Sequence, residues 1–178
     1  MDEELDEVTS AALRARHGDS AAATAFVRAT QHDVWRLCAH LGSRDQADDL
    51  TQETYARAFG SLHRFAGRSS ARTWLLSIAR RVCADAVRSA VRARAAAPRL
   101  VDDHVGVDPA ETVTVRALLD TLDVERREAF VLTQVVGLSY AEAADVCGCP
   151  VGTIRSRVAR ARADLVDAAG GQRRAVND

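Results

Sequence analysis

The run Leu138-Ser139-Tyr140-Ala141-Glu142-Ala143-Ala144-Asp145-Val146, followed by Cys147-Gly148-Cys149 and Pro150-Val151-Gly152-Thr153-Ile154-Arg155-Ser156-Arg157-Val158, constrains this chain more than any other stretch. It orders a short helix, a tight turn and an arginine-studded second helix. Ser139 is placed to cap the first helix, and Glu142, three residues on, completes a capping box. Leu138, Ala143 and Val146 supply one buried stripe. Gly148 ends that helix at little cost, and Pro150 fits the first turn of the next, where a missing N–H is not felt. Val151, Ile154, Val158 and Leu165 then recur on an apolar face, with alanines at 159, 161 and 163. The pattern predicts a helix-turn-helix whose second helix would enter a DNA major groove.

The other faces of that second helix carry Arg155, Arg157, Arg160 and Arg162 with no acidic residue among them. Guanidinium groups so placed can neutralise phosphates or fork onto guanine edges, and Thr153 and Ser156 add small hydroxyls able to bond a phosphate or a base edge. A helix start is itself a phosphate site. Taken alone, the segment is also compatible with a solvated cationic helix in an ordinary bundle.

Composition narrows the rest. The 178 residues are 47% hydrophobic, much of it alanine, and only 4% aromatic, which favours compact helical bundles over a large core. No apolar run approaches 18 residues, and the acidic start Met1-Asp2-Glu3-Glu4-Leu5-Asp6-Glu7 has no basic-then-apolar leader. Neither a membrane span nor a secretory signal is expected, and a cytoplasmic location follows. Every cationic side chain is arginine and the formal net charge is -1, so any nucleic-acid contact must come from segregated patches. Such patches exist. Arg44 to Tyr55 holds Asp45, Asp48, Asp49 and Glu53 against one arginine, whereas Arg64 to Arg99 holds nine arginines against the single acid Asp85. The first suits a protein partner and the second a polyanion, although surface and helix-end charge would produce the same pattern.

Cys38 and Cys83 have apolar neighbours and read as buried thiols. Cys147 and Cys149 stand one residue apart, which is not the spacing of a metal knuckle, and no histidine follows them at a finger-like distance. The histidines at 17, 32, 40, 63 and 104 and the scattered carboxylates form no hydrolytic or zinc-peptidase spacing, so no catalytic residue, metal or cofactor is expected.

Along the chain, a helix is expected from near Ser20 to Gly42 and a second from about Asp45 through Phe59. A loop from Gly60 to Arg68 then leads to a helix carrying Trp74, Leu75, Ile78 and Val82 and ending near Ala95. Residues 96–112, with Pro98 and Pro109, read as a linker. A second helical unit runs over 113–168, and Gly170 to Asp178 reads as a loose tail. The expected fold is all-α: two small helical domains, 14–95 and 113–168, joined by a flexible linker.

Three blocks, Ala47-Asp48-Asp49-Leu50-Thr51-Gln52-Glu53-Thr54-Tyr55-Ala56-Arg57-Ala58, Arg72-Thr73-Trp74-Leu75-Leu76-Ser77-Ile78-Ala79-Arg80 and the helix-turn-helix, together resemble an extracytoplasmic-function RNA polymerase sigma factor of the sigma-70 superfamily. They come in family order over roughly residues 20–168, and Thr133 to Ala161 resembles the actinobacterial sigma factor C group. The resemblance implies sigma regions 2 and 4 on the two units. It implies that Asp48, Asp49, Leu50, Gln52 and Glu53 bind the clamp-helix coiled coil of core RNA polymerase, with Leu50 as an apolar anchor. Arg64, Phe65, Arg68, Arg72, Arg80, Arg81 and Arg88 would hold the -10 element, from which a base is flipped and captured. Trp74, at helical spacing with Ile78, reads as core rather than as a strand-separating wedge. Thr153, Arg155, Ser156, Arg157 and Arg160 would meet the -35 element of promoter DNA, with Arg155 and Arg157 as the leading contacts and Arg160 and Arg162 favouring phosphate or the helix end. The resemblance further implies a chain that is monomeric when free, does not insert into membranes, and is open to control by an anti-sigma factor. A stand-alone helix-turn-helix regulator would explain the C-terminal half but not the acidic helix followed by the basic one.

Overall fold

The computed structural model describes residues 6–96 and 115–175; the expected linker lies almost wholly outside these, as do the two ends of the chain. All regular structure among the described residues is helical. The first unit comprises α1 (Glu7–Ala15), α2 (Ser20–Leu41), α3 (Ala47–Ser61) and α4 (Ala71–Ala96). The second comprises α5 (Val115–Asp120), α6 (Val124–Phe130, continued by a π-helical turn Val131–Val135), α7 (Tyr140–Cys147) and α8 (Val151–Ala175).

Helix starts in both units follow from local capping chemistry. Asp6, Asp19 and Asp123 each accept a backbone N–H three residues on, at 2.9 Å, at the heads of α1, α2 and α6. Gly42 closes α2, and a Cβ there would collide with Leu50 and stand 2.9 Å from the Cys38 carbonyl oxygen, so glycine lets α3 fold back tightly on α2. Phe26, Val34, Leu37, Leu75, Leu76 and Val82 fill the first core, all at most 2% exposed. α1 is part of it: Thr9 is buried, and its Oγ1 accepts from the Ala71 N–H at 2.8 Å, capping α4 from a distant part of the chain. The packed unit therefore takes in residues before position 14. In the second unit Leu119, Leu132, Ile154 and Val158 are buried together.

The expected helices are present, with two differences of boundary. Leu62–Arg64 of the expected loop forms a single 3-10 turn, Gly60 and Ser61 staying in α3. α8 runs on to Ala175 through the segment read as a loose tail.

The two units pack on each other, α4 against α7 and α2 against the π turn. Arg72 donates to the Val136 carbonyl at 3.0 Å, and Arg80 pairs with Glu128 at 2.8 Å. Arg116 of α5 donates to the carbonyls of Ala39 and Gly42, at 2.9 and 2.6 Å, satisfying acceptors at the C-terminus of α2.

Candidate nucleic-acid and partner interfaces

α7 and α8 are positioned by the chemistry expected of them. Ser139 Oγ accepts from Glu142 N–H at 3.2 Å and Glu142 Oε2 accepts from Ser139 N–H at 2.8 Å, a complete capping box. Gly148 adopts the left-handed conformation, φ 65°, and ends α7, so only Gly148, Cys149 and Pro150 separate the two helices. Ile154, Val158 and Ala161 face inward at 0 to 1% exposure, which turns Arg155, Ser156 and Arg160 outward. Arg155 and Arg160 have no hydrogen-bond partner among the described residues. Ser156 Oγ donates to the Thr153 carbonyl, and both residues stay near the start of α8. Arg157 is the exception: only partly exposed, it pairs with Glu125 of α6 and lies 3.8 Å from Cys149 Sγ. Arg162 donates to Gln134.

On α3, the acidic stretch divides by helical phase. Ala47, Leu50, Thr54 and Ala58 are buried, whereas Asp48, Asp49, Gln52 and Glu53 are exposed. Leu50, read as an outward anchor, is 8% exposed and lies in the core against Gly42. Glu53 pairs with Arg57, which also holds Asp85. Asp48 accepts from the indole N–H of Trp35 on α2 at 2.8 Å.

The residues read as a -10 surface are spread over three situations. Arg64, Arg68, Arg81 and Arg88 are exposed, with Arg64 on His63, Arg81 on the Ser77 carbonyl and Arg88 on Asp85. Arg72 and Arg80 lie in the seam between the units, and Arg72 also binds Asp33 at 2.7 Å. Phe65 is buried at 4%, its ring 4.9 Å from that of Trp74 and its carbonyl accepting from Arg16. It therefore supports the loop from within. Trp74, half-buried, sits on the wall of a hollow of about 550 Å³ that has Arg68, Thr73 and Ser77 on one side and Asp145, Cys149 and Pro150 on the other. The turn of the second unit thus faces the basic loop and helix of the first.

Glu128 is the residue the sequence reading missed. It is 6% exposed, and burial holds its carboxyl above the ordinary glutamate range, an effect that Arg80 opposes. Its signal was present: a carboxylate in phase with Leu132 on an otherwise buried stripe needs a cationic partner. Burial also pushes the Cys147 thiol up to about 11, while Cys38 and Cys83 are fully buried in the first core. No group of three or more metal-ligating side chains occurs among the described residues, and none of their helices is long and apolar enough to cross a membrane.

The chain matches two family models, sigma-70 region 2 over residues 26–93 and sigma-70 region 4 over residues 112–165. It is 53% identical over 168 residues to the ECF RNA polymerase sigma factor SigC of Mycobacterium tuberculosis, covering 90% of each chain. Among solved structures it resembles CnrH in its complex with the cytosolic domain of CnrY, with a TM-score of 0.76 at 27% identity over 93% of this chain and 99% of that one. It also resembles the sigma factor RpoE of Bartonella quintana, solved with the anti-sigma factor NepR, with a TM-score of 0.66 at 30% identity over 79% and 92% of the two chains. With its acidic helix, basic helix and arginine-bearing α8 in family order, the chain belongs to the extracytoplasmic-function sigma-70 factors, in the sigma-C-like group, and acts as such a factor, binding core RNA polymerase and promoter DNA.

Proposed function

We propose a division of that work among named residues. The first unit, α1 through α4, docks on core polymerase through Asp48, Asp49, Gln52 and Glu53, with Leu50 setting the position of α3 from beneath. Arg64, Arg68, Arg81 and Arg88 of the same unit, joined by Arg72 and Arg80 once these leave the seam, hold the melted -10 element, with Phe65 stacked behind Trp74 as support for the loop. The second unit, over residues 113–168, is a helix-turn-helix that lays α8 in the major groove of the -35 element. Arg155 and Ser156 read base edges there, and Arg157, Thr153 and Arg160 hold the backbone. The observation that carries this reading is the partition of exposed charge: carboxylates on α3, and unpaired guanidinium groups at Arg155 and Arg160 on α8.

The free chain is a monomer of the cytoplasm in this reading, and its two weak readers become useful only when one polymerase holds both. The structures it resembles were solved with protein partners, one named an anti-sigma factor, and this supports control of the present chain by a partner of that kind. Run-off transcription with core polymerase on a promoter library tests the assignment. Asp49→Arg should abolish starts at all promoters, and Arg155→Ala should change which -35 sequences are used. Starts that persist with Asp49→Arg, or a uniform loss with Arg155→Ala, would overturn it.

A further inference from the structure

Trp35 is partly exposed on α2, beside the acidic face of α3, and it walls two hollows. One, of about 530 Å³, is lined by Gln31, His32, Trp35, Asp48, Thr51 and Gln52. The other, of about 620 Å³, runs from Trp35 past Ser43 to Asp45. The first is chemically specific. The Trp35 indole N–H donates to Asp48 Oδ1 at 2.8 Å, which fixes that carboxylate and leaves its second oxygen without a partner among the described residues. Thr51 also lines the hollow, but its Oγ1 is buried against the Cys38 thiol of the core and is not presented to it. Gln31 and Gln52 are exposed at the rim.

An indole wall and a held carboxylate with a free second oxygen suit a cation. A guanidinium or ammonium group gains a cation–π contact and a charge-assisted hydrogen bond, while a phosphate would meet the carboxylate first. Asp45, Asp49 and Glu53, exposed nearby in the chain, would draw a cationic segment toward the same place. Trp35 packs at the edge of the core, while Val34, Leu37 and Cys38 fill it. Resting on the reading that the acidic face of α3 docks polymerase, we propose that Trp35 is part of that docking surface. The hollow beside it receives an arginine or lysine side chain of core polymerase, with the indole as aromatic wall and the oriented Asp48 as counter-charge.

Equilibrium binding of the full chain to purified core polymerase tests this, with thermal melting of each variant alongside. Trp35→Ala should weaken binding about 30-fold or more, as truncation of an aromatic anchor does. Trp35→Phe keeps an aromatic face but loses the N–H together with the five-membered ring that carries it, and should cost about tenfold, in line with loss of a hydrogen bond to a charge. Asp48→Asn should cost a similar factor, and the double variant should bind more tightly than the product of the two losses allows, because both act through one contact. If Trp35→Phe and Trp35→Ala both bind normally while Asp49→Arg does not, the docking face stands and the hollow is idle. If Asp49→Arg also binds normally, the acidic-face reading fails and the proposal with it. Independent, multiplying losses for Trp35→Phe and Asp48→Asn would reduce Trp35 to packing and overturn the proposal as well.

Discussion

Arg155 and Arg160 share a helix, a charge and an exposed position, yet their loss should read differently. Arg155 lies in the first turns of α8, where a side chain reaches base edges, so Arg155→Ala should relax discrimination at one -35 position by about 1–3 kcal/mol. Arg160 is more than a turn further on, and Arg160→Ala should weaken all promoters alike and flatten the salt dependence of binding. Sequenced transcription starts across a -35 library, repeated at two salt concentrations, separate the two outcomes. The outward arginines of α8 were legible from the sequence because Ile154 and Val158 fix the phase of the helix. Leu50 was legible by the same logic, since it keeps step with Ala47, Thr54 and Ala58 on the buried side of α3. Chemical type pulled the other way, because a leucine among carboxylates looks like an anchor, and phase wins. Phe65 could not be placed so, as it follows a turn and owes its burial to the ring of Trp74.

At the scale of elements, the turn between α7 and α8 is decided by residues within a few positions of it, which is why it could be read in advance. Ser139→Ala removes the acceptor for Glu142 N–H and should cost about 0.5–2 kcal/mol in denaturant unfolding. The packing of the units on each other was not legible, because its contacts join residues far apart in sequence: 64 positions between Arg72 and Val136, 77 between Arg116 and Ala39. No helical period reports such pairs. Glu128 is the one to test. Glu128→Arg would set two guanidinium groups side by side in the seam and should separate the units, which small-angle scattering would show as a larger radius of gyration. The pH dependence has a definite sign. Because the Glu128 carboxyl is held above its ordinary range in the folded chain, folding takes up a proton there. Its contribution is therefore full below the ordinary glutamate pKa and is lost as pH rises through the raised value. Lowering the pH toward the ordinary glutamate value should raise the stability of the folded chain against denaturant, and Glu128→Gln should remove that part of the dependence.

For the whole molecule, the packed arrangement and the proposed promoter-reading one would make competing demands on the same side chains. Arg72 and Arg80 hold Val136 and Glu128 in the seam, and the turn before α8 faces the hollow at Trp74. The carboxylates of α3, by contrast, are exposed in the packed form, so the proposed docking of polymerase on them would not need the seam to open first. Opening must then be driven by whatever the polymerase gains from the second unit. If the packed form holds 99% of free molecules, converting them to 99% open needs about 5.5 kcal/mol of differential binding. Dyes on Ser89→Cys and Asp167→Cys, both at exposed positions, in a chain whose Cys147 and Cys149 are replaced by serine, would follow the distance between the units by energy transfer. Transfer should be efficient in the free chain, independent of its concentration, and should fall when core polymerase is added. Asp49→Arg should keep it high by preventing docking. Glu128→Arg should start low and bind polymerase more tightly than the unaltered chain, because the work of opening no longer comes out of the affinity. Unchanged transfer on binding polymerase would mean that the factor works with its seam closed, and that Arg72 and Arg80 never reach the promoter.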